Sequence, residues 1–346
     1  MKALVLREYN RLEYTEAPRP DTAPDEVLVQ VKAVGICGSD VHGLDGSTGR
    51  RIPPLIMGHE AAGVIAEVGA DVTGWRPGQR VTFDSTLYCG RCHLCNQRFI
   101  NLCDSRQVLG VSCEEFRRDG AFAYYVSVPA RVLYQLPDDL PFEQAAMVEP
   151  VSVAVHGVSR LPLRGGEIAV VIGAGVIGLL AIQALRAQGC GRVIAVDVDE
   201  GRLDMARQLG ADEVVVSSTS RQLAPLGEVR KLTGGRGAEV VFEAVGLPAT
   251  VNLAVECACK GGAVVQVGNV SPTAEIPLQL LVSRQISLFG SAASCGEYPD
   301  CLDLMRRGVI KVEPLISAVA PLSEGAEWFE RLRKREAGLV KVILTP

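Results

Sequence analysis

The sequence lacks the features that mark membrane, secreted and nucleic-acid-binding proteins. No stretch approaches the ~18–20 uninterrupted apolar residues that a helix needs to span a bilayer. The apolar run within residues 1–7 is too short for a signal peptide and is typical of a first β-strand. The net charge is −5 and no long basic run is present, so nothing favours binding to nucleic acid or to an anionic membrane. We therefore expect a cytoplasmic protein without a membrane or nucleic-acid partner.

The size and composition are those of a two-domain globular protein. The chain has 346 residues, which is long for a single hydrophobic core, and no internal repeat is visible. Apolar residues make up 48% and charged residues 22%, a balance that excludes a disordered chain. Eleven cysteines are present, and without a signal peptide they should stay reduced. Clustered cysteines then indicate metal binding rather than disulfides.

The local pattern of the chain changes near residue 149. Up to that point, short β-like runs such as 27–31, 63–68 and 80–83 alternate with loops rich in glycine and proline. From residue 167, strands predicted at 168–172, 192–197, 213–216, 239–244, 263–267 and 286–289 alternate with helices predicted at 175–188, 201–209, 221–232 and 249–257. This alternation predicts an α/β fold with a parallel, doubly wound sheet. After residue 290 we expect two more helices and a last strand at 341–344, which return to the first domain.

A glycine-rich turn between the first predicted strand and helix of the second half indicates a dinucleotide site. Glycines permit a tight turn and a close approach of the backbone to a pyrophosphate, and the helix N-terminus offers free N–H groups to that anion. The motif reads GAGVIG over residues 173–178. The predicted cofactor-binding residues in it are Gly173, Gly175, Val176, Ile177 and Gly178.

Asp197 ends the next predicted strand and is expected to bind the adenosine ribose. A carboxylate there can accept hydrogen bonds from both ribose hydroxyls and repels a 2′-phosphate, which favours NAD over NADP. Arg202 is a further candidate cofactor contact, although its acidic neighbours Asp199 and Glu200 favour packing over the adenine or a solvated position. The alternative is a glycine-rich turn of an unrelated α/β fold with Asp197 on its surface.

Four closely spaced cysteines predict a closed metal site. They follow the spacing C-x2-C-x2-C-x7-C, at Cys89, Cys92, Cys95 and Cys103. Four thiolates this close can complete a tetrahedron around Zn²⁺ and leave no position for substrate, which is typical of structural zinc. A redox pair leaves two of the cysteines unexplained, and an iron–sulfur cluster fits the ligands but not the neighbouring chemistry.

A second set of ligands surrounds Cys37, His59 and Glu60. Thiolate, imidazole and carboxylate together make a workable zinc site with one position open for water or an alcohol. From spacing alone, a buried cysteine and a core histidine are an equally good interpretation.

Five motifs occur in the order seen in one enzyme family. They are GICGSDVH, GHEAAGVIAEVG, the segment 89–103 with its four cysteines (the four-cysteine lobe), VEPVSVAVHG and GAGVIG. Over nearly its whole length the chain resembles the medium-chain zinc alcohol dehydrogenases, and most closely their polyol branch, which includes sorbitol, galactitol-1-phosphate, butanediol and threonine dehydrogenases. The resemblance implies a mostly-β GroES-like catalytic domain formed by residues 1–149 and 293–346. It implies a Rossmann NAD-binding domain at 150–292.

The resemblance also implies roles for individual residues. Cys37, His59 and Glu60 match ligands of the catalytic zinc, and Glu149 matches a carboxylate that reaches this zinc directly or through water. Ser39 matches the hydroxyl that takes the substrate proton, and His42 a later member of that relay. Asp40 matches a partner of a zinc ligand. Two zinc ions per chain and NAD are the implied cofactors.

The implied reaction is oxidation of a secondary alcohol of a polyol or sugar derivative to a ketone. Sorbitol dehydrogenases carry an Arg-Tyr pair where this chain has Ala293 and Ser294, so sorbitol itself is in question. A threonine or butanediol dehydrogenase with the same mechanism is the alternative, and a non-catalytic NAD-binding relative is a remote one. Residues 285–289 resemble the family's dimerising edge strand, which implies a homodimer or homotetramer.

Overall fold

A computed structural model describes residues 1–217 and 225–346. These residues form two units. The first comprises Met1–Glu149, Cys295–Arg306 and Val312–Pro346, and the second comprises Pro150–Ser294 and Arg307–Lys311. The first part of the helix predicted at 221–232 lies outside the described residues. Within the described ranges, no helix has both the length and the apolar character needed to cross a bilayer.

The first unit is built mainly from short strands. Its strands up to residue 149 are Lys2–Glu8 (β1), Arg11–Glu16 (β2), Glu26–Gly35 (β3), Leu55–Ile56 (β4), Glu60–Val68 (β5), Arg80–Phe83 (β6), Thr86–Leu87 (β7), Gln107–Val108 (β8), Val111–Ser112 (β9), Arg117–Arg118 (β10), Tyr125–Pro129 (β11) and Leu133–Gln135 (β12). Short helices follow at Gly38–Gly43 (α1), His93–Asn96 (α2) and Phe142–Ala145 (α3), and the longer Val148–Ser159 (α4) begins at the boundary between the units.

The second unit alternates strands and helices. Its strands are Ile168–Ile172 (β13), Arg192–Asp197 (β14), Glu213–Val216 (β15), Ala238–Glu243 (β16), Ala258–Gln266 (β17) and Ser287–Gly290 (β18). Its helices are Val176–Ala187 (α5), Glu200–Gln208 (α6), Pro225–Leu232 (α7), Pro248–Cys257 (α8) and Leu278–Ser283 (α9). The last part of the chain contributes Tyr298–Arg306 (α10), Ile316–Pro321 (β19), Gly325–Arg333 (α11) and Lys341–Thr345 (β20).

The sheet of the second unit is parallel and doubly wound, as the alternation of elements predicts. Its strand order is β15-β14-β13-β16-β17-β18, and every pairing is parallel. Val170, Ile194 and Val241 on its three central strands are fully buried. Such strands are covered on both faces, which explains their nearly continuous apolar sequences. From β13 the next two strands are added on one side of the sheet, and from β16 onwards strands are added on the other side. The glycine turn follows β13, beside the point where the strand order changes side.

The main sheet of the first unit combines strands from residues 26–135 with the last two strands of the chain. Its order is β12-β6-β5-β3-β20-β19, with β11 also paired to β3. Strand β20 pairs antiparallel with β3 and parallel with β19. The sequence analysis did not predict β19, because its alternating positions carry small or polar residues and Val319 is 52% exposed. The pairing of β20 with β3 places the C-terminal strand beside Cys37.

Candidate functional site

Three potential metal ligands meet where β3 ends and β5 begins. Cys37, His59 and Glu60 each offer a ligand atom, and these atoms all lie within 4.8 Å of one another. Gly35 pairs with Glu60 in the sheet, so the chain reaches Cys37 next to that carboxylate. The side chains of His59 and Glu60 are buried, whereas Cys37 is partly exposed. The donor set suits Zn²⁺ with one position left for another ligand.

Asp40 and Arg51 form a buried charged pair behind His59. Arg51 Nη2 lies 2.8 Å from Asp40 Oδ1, and the same oxygen lies 3.5 Å from His59 Nδ1. Burial disfavours the Asp40 carboxylate, but the charges of His59 and Arg51 outweigh burial and lower the pKa of Asp40 to about 2. The ionised carboxylate can therefore orient the His59 ring. No local pattern identifies Arg51 in advance, because a buried arginine and a solvated one look alike in the sequence.

Lys341 is a second buried cation beside the ligands, and the sequence analysis did not identify it. Its Nζ lies 2.5 Å from Glu60 Oε2, and the two side chains are 2% and 1% exposed. The same ammonium donates a 3.0 Å hydrogen bond to the carbonyl oxygen of Ile36. Burial lowers the pKa of Lys341, but the charges of Glu60 and Cys37 outweigh burial and raise it. A lysine at the start of an apolar strand is the one local signal for this role.

Glu149 lies in the first turn of α4 and is not one of the three clustered ligands. Its Oε1 is 3.5 Å from the Oγ of Ser85, which follows β6. Burial raises the pKa of Glu149 to about 7, with Glu60 and Asp84 adding to the effect and His59 opposing it. Burial and these neighbouring carboxylates favour the protonated carboxyl, whereas the charges of His59 and Lys341 favour the ionised form.

Ser39 and His42 are both on α1, directly after Cys37. They are three residues apart, which places them on the same side of the helix, and both are exposed. Arg51 Nη2 lies 3.4 Å from Ser39 Oγ, so the serine also borders the buried pair behind His59. The hydroxyl and the imidazole thus lie on one exposed helix face beside the potential ligands.

The four cysteines of the lobe also come together. The sulfur atoms of Cys89, Cys92, Cys95 and Cys103 lie within 4.8 Å of one another. Each of the eleven cysteines, all within the described residues, has a free thiol. Backbone N–H groups point at these sulfurs: that of Cys92 donates to Cys89 Sγ at 3.3 Å and that of Cys89 donates to Cys103 Sγ at 3.2 Å. Short N–H to sulfur bonds of this kind favour thiolates.

The ionisation of these thiols also fits a metal site. Hydrogen bonds from the backbone N–H groups of Arg91 and Cys92 lower the pKa of Cys89 to about 6. Burial raises the pKa of Cys95 to about 12, and its neighbouring cysteines raise it further. Four thiolates cannot coexist at this distance without a compensating cation. A zinc ion would supply that compensation, and four thiolates are a ligand set that it prefers.

The glycine turn of the second unit has the geometry of a phosphate cradle. Gly173 has a φ of +93°, and a Cβ on Gly178 would lie 1.7 Å from the carbonyl oxygen of Gly173. Only glycine fits at both positions. Helix α5 begins at Val176, and its N-cap Gly175 has no side chain to occupy the first N–H groups. These groups, including those of Val176 and Ile177, can bind an anion.

Asp197 ends β14 beside this turn and is 9% exposed. Its Oδ2 accepts a 2.5 Å bond from the N–H of Ala174, and its Oδ1 accepts a 2.9 Å bond from the N–H of Asp199. Each carboxylate oxygen has two lone pairs, so both can accept another donor. Arg202 lies in the first turn of α6, where its N–H donates to Asp199 Oδ1 at 3.0 Å.

Comparison with known proteins identifies matching families and relatives. Residues 23–138 match the alcohol dehydrogenase GroES-like domain, and residues 176–307 match the zinc-binding dehydrogenase family. The sorbitol dehydrogenase of Bacillus subtilis is 33% identical, covering 100% of this chain and 97% of the relative. The L-idonate 5-dehydrogenase of Vitis vinifera is 36% identical, covering 86% of this chain and 81% of the relative.

Solved structures resemble the whole chain. Galactitol-1-phosphate dehydrogenase from Escherichia coli has a TM-score of 0.91 and 28% identity, with 100% of both chains covered. A zinc-binding dehydrogenase from Sinorhizobium meliloti 1021, bound to NADP, has a TM-score of 0.90 and 31% identity, covering 100% of this chain and 99% of that one. An alcohol dehydrogenase from Escherichia coli CFT073, complexed with NADH, has a TM-score of 0.92 and 31% identity, with the same coverage.

These matches agree with the geometry of both units. The cysteine cluster and the group of Cys37, His59 and Glu60 are compatible with zinc. The fold combines a GroES-like domain with a Rossmann-like domain. The chain therefore belongs to the zinc-type medium-chain alcohol dehydrogenase family.

Proposed function

We propose that this protein oxidises a secondary alcohol of a polyol or sugar derivative to a ketone and transfers the hydride to NAD. The observation that carries the proposal is the open group of Cys37, His59 and Glu60 in a chain that also has a dinucleotide-binding turn. A metal site can polarise an alcohol and a nicotinamide can accept its hydride, so the two features together support alcohol oxidation. Relatives named for sorbitol and L-idonate support the polyol class.

We assign the two metal sites different roles. Cys37, His59 and Glu60 would hold the catalytic zinc, and Glu149 would reach it directly or through a water molecule. The four cysteines of the lobe hold a structural zinc with no open position. In this assignment residues 1–149 and 293–346 form the catalytic domain and residues 150–292 form the NAD-binding domain. The compact units differ slightly from these bounds, because Ala293, Ser294 and Arg307–Lys311 group with the second unit.

The residues beside the catalytic ligands move the proton. When bound, zinc supplies Lewis acidity that lowers the pKa of the substrate hydroxyl. Ser39 accepts the hydroxyl proton, and His42 on the same exposed helix face passes it to solvent. Asp40 and Arg51 keep His59 in place during this step. The substrate loses one proton through this route and one hydride to the nicotinamide, which balances a two-electron oxidation.

NAD rather than NADP is the proposed cofactor. Asp197 offers a carboxylate where the ribose binds, and Val198, Asp199 and Glu200 follow it without a basic residue. Arg202 is the nearest residue that could compensate a 2′-phosphate, and only its backbone N–H is engaged by Asp199. One similar structure is bound to NADP and another to NADH, so the family alone does not fix the cofactor.

Ala293 and Ser294 occupy the positions where sorbitol dehydrogenases carry an Arg-Tyr pair. Ser294 is 2% exposed, and Ala293 has a φ of +51°. The absence of that pair argues against sorbitol and leaves other polyols, their phosphates, butanediol and threonine to be tested. A non-catalytic role is disfavoured, because such relatives lack the ligands that Cys37, His59 and Glu60 provide.

We further propose that a second copy of the chain pairs along β18. This strand is the last one in the sheet of the second unit, and Leu288 on it is 40% exposed. Leu278 and Val282 on the preceding helix are 62% and 67% exposed. An exposed edge strand beside apolar side chains favours a homodimer or a homotetramer. The free thiols support a cytoplasmic location.

The test is a screen for NAD⁺ reduction with purified protein. Polyols, polyol phosphates, aldonates such as idonate, butanediol and threonine are offered separately with NAD⁺ and with NADP⁺, and NADH formation is followed by absorbance. We expect turnover with at least one polyol or polyol derivative and NAD⁺. Turnover confined to threonine or butanediol would replace the substrate class. No turnover with any alcohol by protein that contains two zinc ions would refute the catalytic proposal.

A further inference from the structure

We propose that Lys341 is a positioning residue that presents Glu60 to the catalytic metal through a single carboxylate oxygen. The inference rests on the proposed function, since it takes Glu60 as a metal ligand. Lys341 lies at the start of the C-terminal strand β20, 281 positions from Glu60 along the chain. Nothing in the proposed proton relay uses it.

The ammonium of Lys341 links two parts of the metal site. It contacts Glu60 Oε2 at 2.5 Å and the carbonyl oxygen of Ile36, which precedes Cys37, at 3.0 Å. The N–H of Ile36 in turn donates to the carbonyl oxygen of Val342 at 3.0 Å. The C-terminal strand therefore holds both the carboxylate of one ligand and the backbone beside another.

Gly35 leaves the space that this arrangement needs. It pairs with Ile343 of β20 on one side and with Glu60 of β5 on the other. A Cβ at Gly35 would lie 2.3 Å from Glu60 Oε2, the same oxygen that Lys341 contacts. The carboxylate oxygen thus occupies a slot formed by a missing side chain and closed by an ammonium.

The physical consequence concerns how Glu60 binds a metal. A free carboxylate can bind with either oxygen or with both, and its side chain can rotate between these modes. With Oε2 held by Lys341 and backed by Gly35, one oxygen remains for the metal. A buried lysine is costly unless it is paired, so the burial of Lys341 depends on this pairing rather than on packing alone. Partners that orient a metal ligand typically affect metal affinity or activity by roughly 10–100-fold.

The experiment measures zinc retention and the cobalt spectrum of Lys341→Met. Zinc loss to a chelator, pyridine-2,6-dicarboxylate, is followed in the wild type, Lys341→Met, Lys341→Arg and Gly35→Ala. We expect Lys341→Met to lose one zinc per chain roughly 10–100-fold more readily, while the second zinc is retained as in the wild type. Lys341→Arg should retain zinc nearly as well as the wild type. Gly35→Ala should lose zinc as readily as Lys341→Met, although it keeps the positive charge of Lys341.

Cobalt substitution reports the coordination directly. Subtracting the spectrum of Cys37→Ser isolates the visible bands of Co²⁺ at the open site, which depend on ligand geometry. These bands should shift in Lys341→Met and Gly35→Ala. In Lys341→Arg they should lie close to their wild-type positions. Gly227→Ala and Lys260→Met are matched controls: no heavy atom lies within 4 Å of a Cβ built at Gly227, and Lys260 is exposed. Both controls should match the wild type.

The outcomes separate this inference from the proposed function. If wild-type protein holds only one zinc, or Cys37→Ser keeps two, the assignment of the catalytic metal is wrong. If those controls behave as expected but Lys341→Met retains zinc as tightly as the wild type or more tightly, with unchanged cobalt bands, Lys341 does not position Glu60. Should Lys341→Met fail to fold, Gly35→Ala and Lys341→Arg decide the matter by the same two readouts.

Discussion

The Oδ2 atom of Asp197 accepts a 2.5 Å hydrogen bond from the backbone N–H of Ala174. This bond ties the end of β14 to the glycine turn that follows β13. The side chain proposed to recognise the ribose of the cofactor therefore also holds the shape of the turn proposed to bind its phosphates. A substitution of Asp197 affects both roles, and two variants are needed to separate them.

Asp197→Ala should narrow the preference for NAD⁺ over NADP⁺, mainly through the Michaelis constant of NAD⁺. A hydrogen bond to a charged group contributes about 1.5–3 kcal/mol, so we expect kcat/KM for NAD⁺ to fall by roughly 10–100-fold. Asp197→Asn removes the charge and keeps an acceptor for the N–H of Ala174, but it loses the acceptor for the N–H of Asp199. It should narrow the preference for NAD⁺ and lower the thermal stability less than Asp197→Ala does. Steady-state kinetics with both cofactors test this, and an unchanged ratio in both variants would contradict it.

Cys37→Ser and His59→Ala should abolish turnover and leave NADH binding close to that of the wild type. The ligands belong to the first unit, whereas the glycine turn and Asp197 belong to the second. Fluorescence titration with NADH measures the binding, and NAD⁺ reduction measures the turnover. Near-normal turnover in either variant would show that the altered residue is not a ligand of the catalytic metal.

Cys103→Ser should remove one zinc per chain and lower the thermal stability. A structural zinc contributes its binding energy to folding, and Cys103 is a buried member of the four-cysteine cluster. Cys113→Ser, outside the cluster, is the control and should keep two zinc ions. Metal analysis and thermal unfolding give the answer. Unchanged zinc content and midpoint in Cys103→Ser would mean that the lobe does not bind zinc.

Arg51→Met should destabilise the fold far more than the loss of an exposed ion pair. The side chains of Arg51 and Asp40 are 4% and 0% exposed, so the variant leaves a buried carboxylate with a lost partner, at a cost of about 3–5 kcal/mol. Arg207→Met breaks a pair whose side chains are 54% and 67% exposed and should cost about 0–1 kcal/mol. Urea unfolding compares the two. An equal loss in the free energy of unfolding in both variants would show that the buried pair stabilises the fold no more than the exposed one.

The ionisation of buried Asp84 should lower the free energy of unfolding as pH rises towards neutrality. Burial raises its pKa to about 7; the charge of Glu297 adds to this, and hydrogen bonds from Thr86 and the charge of Arg106 oppose it. An unfolded aspartate titrates near ~3.9, so between these values the unfolded chain releases a proton that the folded protein keeps. The stability contributed by this group is thus fully present below about pH 4 and is lost as pH rises to about 7.

Asp84→Asn removes this titration and should therefore flatten the pH dependence. The midpoint of thermal unfolding is measured for the wild type and Asp84→Asn between pH 5 and 8, each fully loaded with zinc. The difference between the two midpoints includes the effect of the Asp84 charge on Glu149, Tyr134 and Tyr298, whose pKa values it also raises. We expect the difference between the two midpoints to grow in favour of the variant as pH rises. A difference that stays constant across this range would show that Asp84 does not titrate there.

The sequence by itself determined the features that depend on local spacing. The alternation of strands and helices after residue 167 reflects a sheet whose strands are buried on both faces, so the parallel Rossmann-like unit could be predicted. The glycine turn, the four-cysteine spacing and the cluster of small residues around Cys37 are likewise local, because backbone geometry and ligand distances act over a few residues. Strand β19 escaped prediction because an exposed strand of small residues lacks that pattern.

Only the tertiary structure decided which distant charges meet. Glu60 and Lys341 are far apart in the sequence and 2.5 Å apart in space, because β20 pairs with β3 and β3 pairs with β5. Arg51 reaches Asp40 through a loop whose sequence gives no hint of burial. Neither contact leaves a periodic signal, since each depends on strand pairing and on the free energy of burying a charge, which are properties of the folded chain rather than of any local segment.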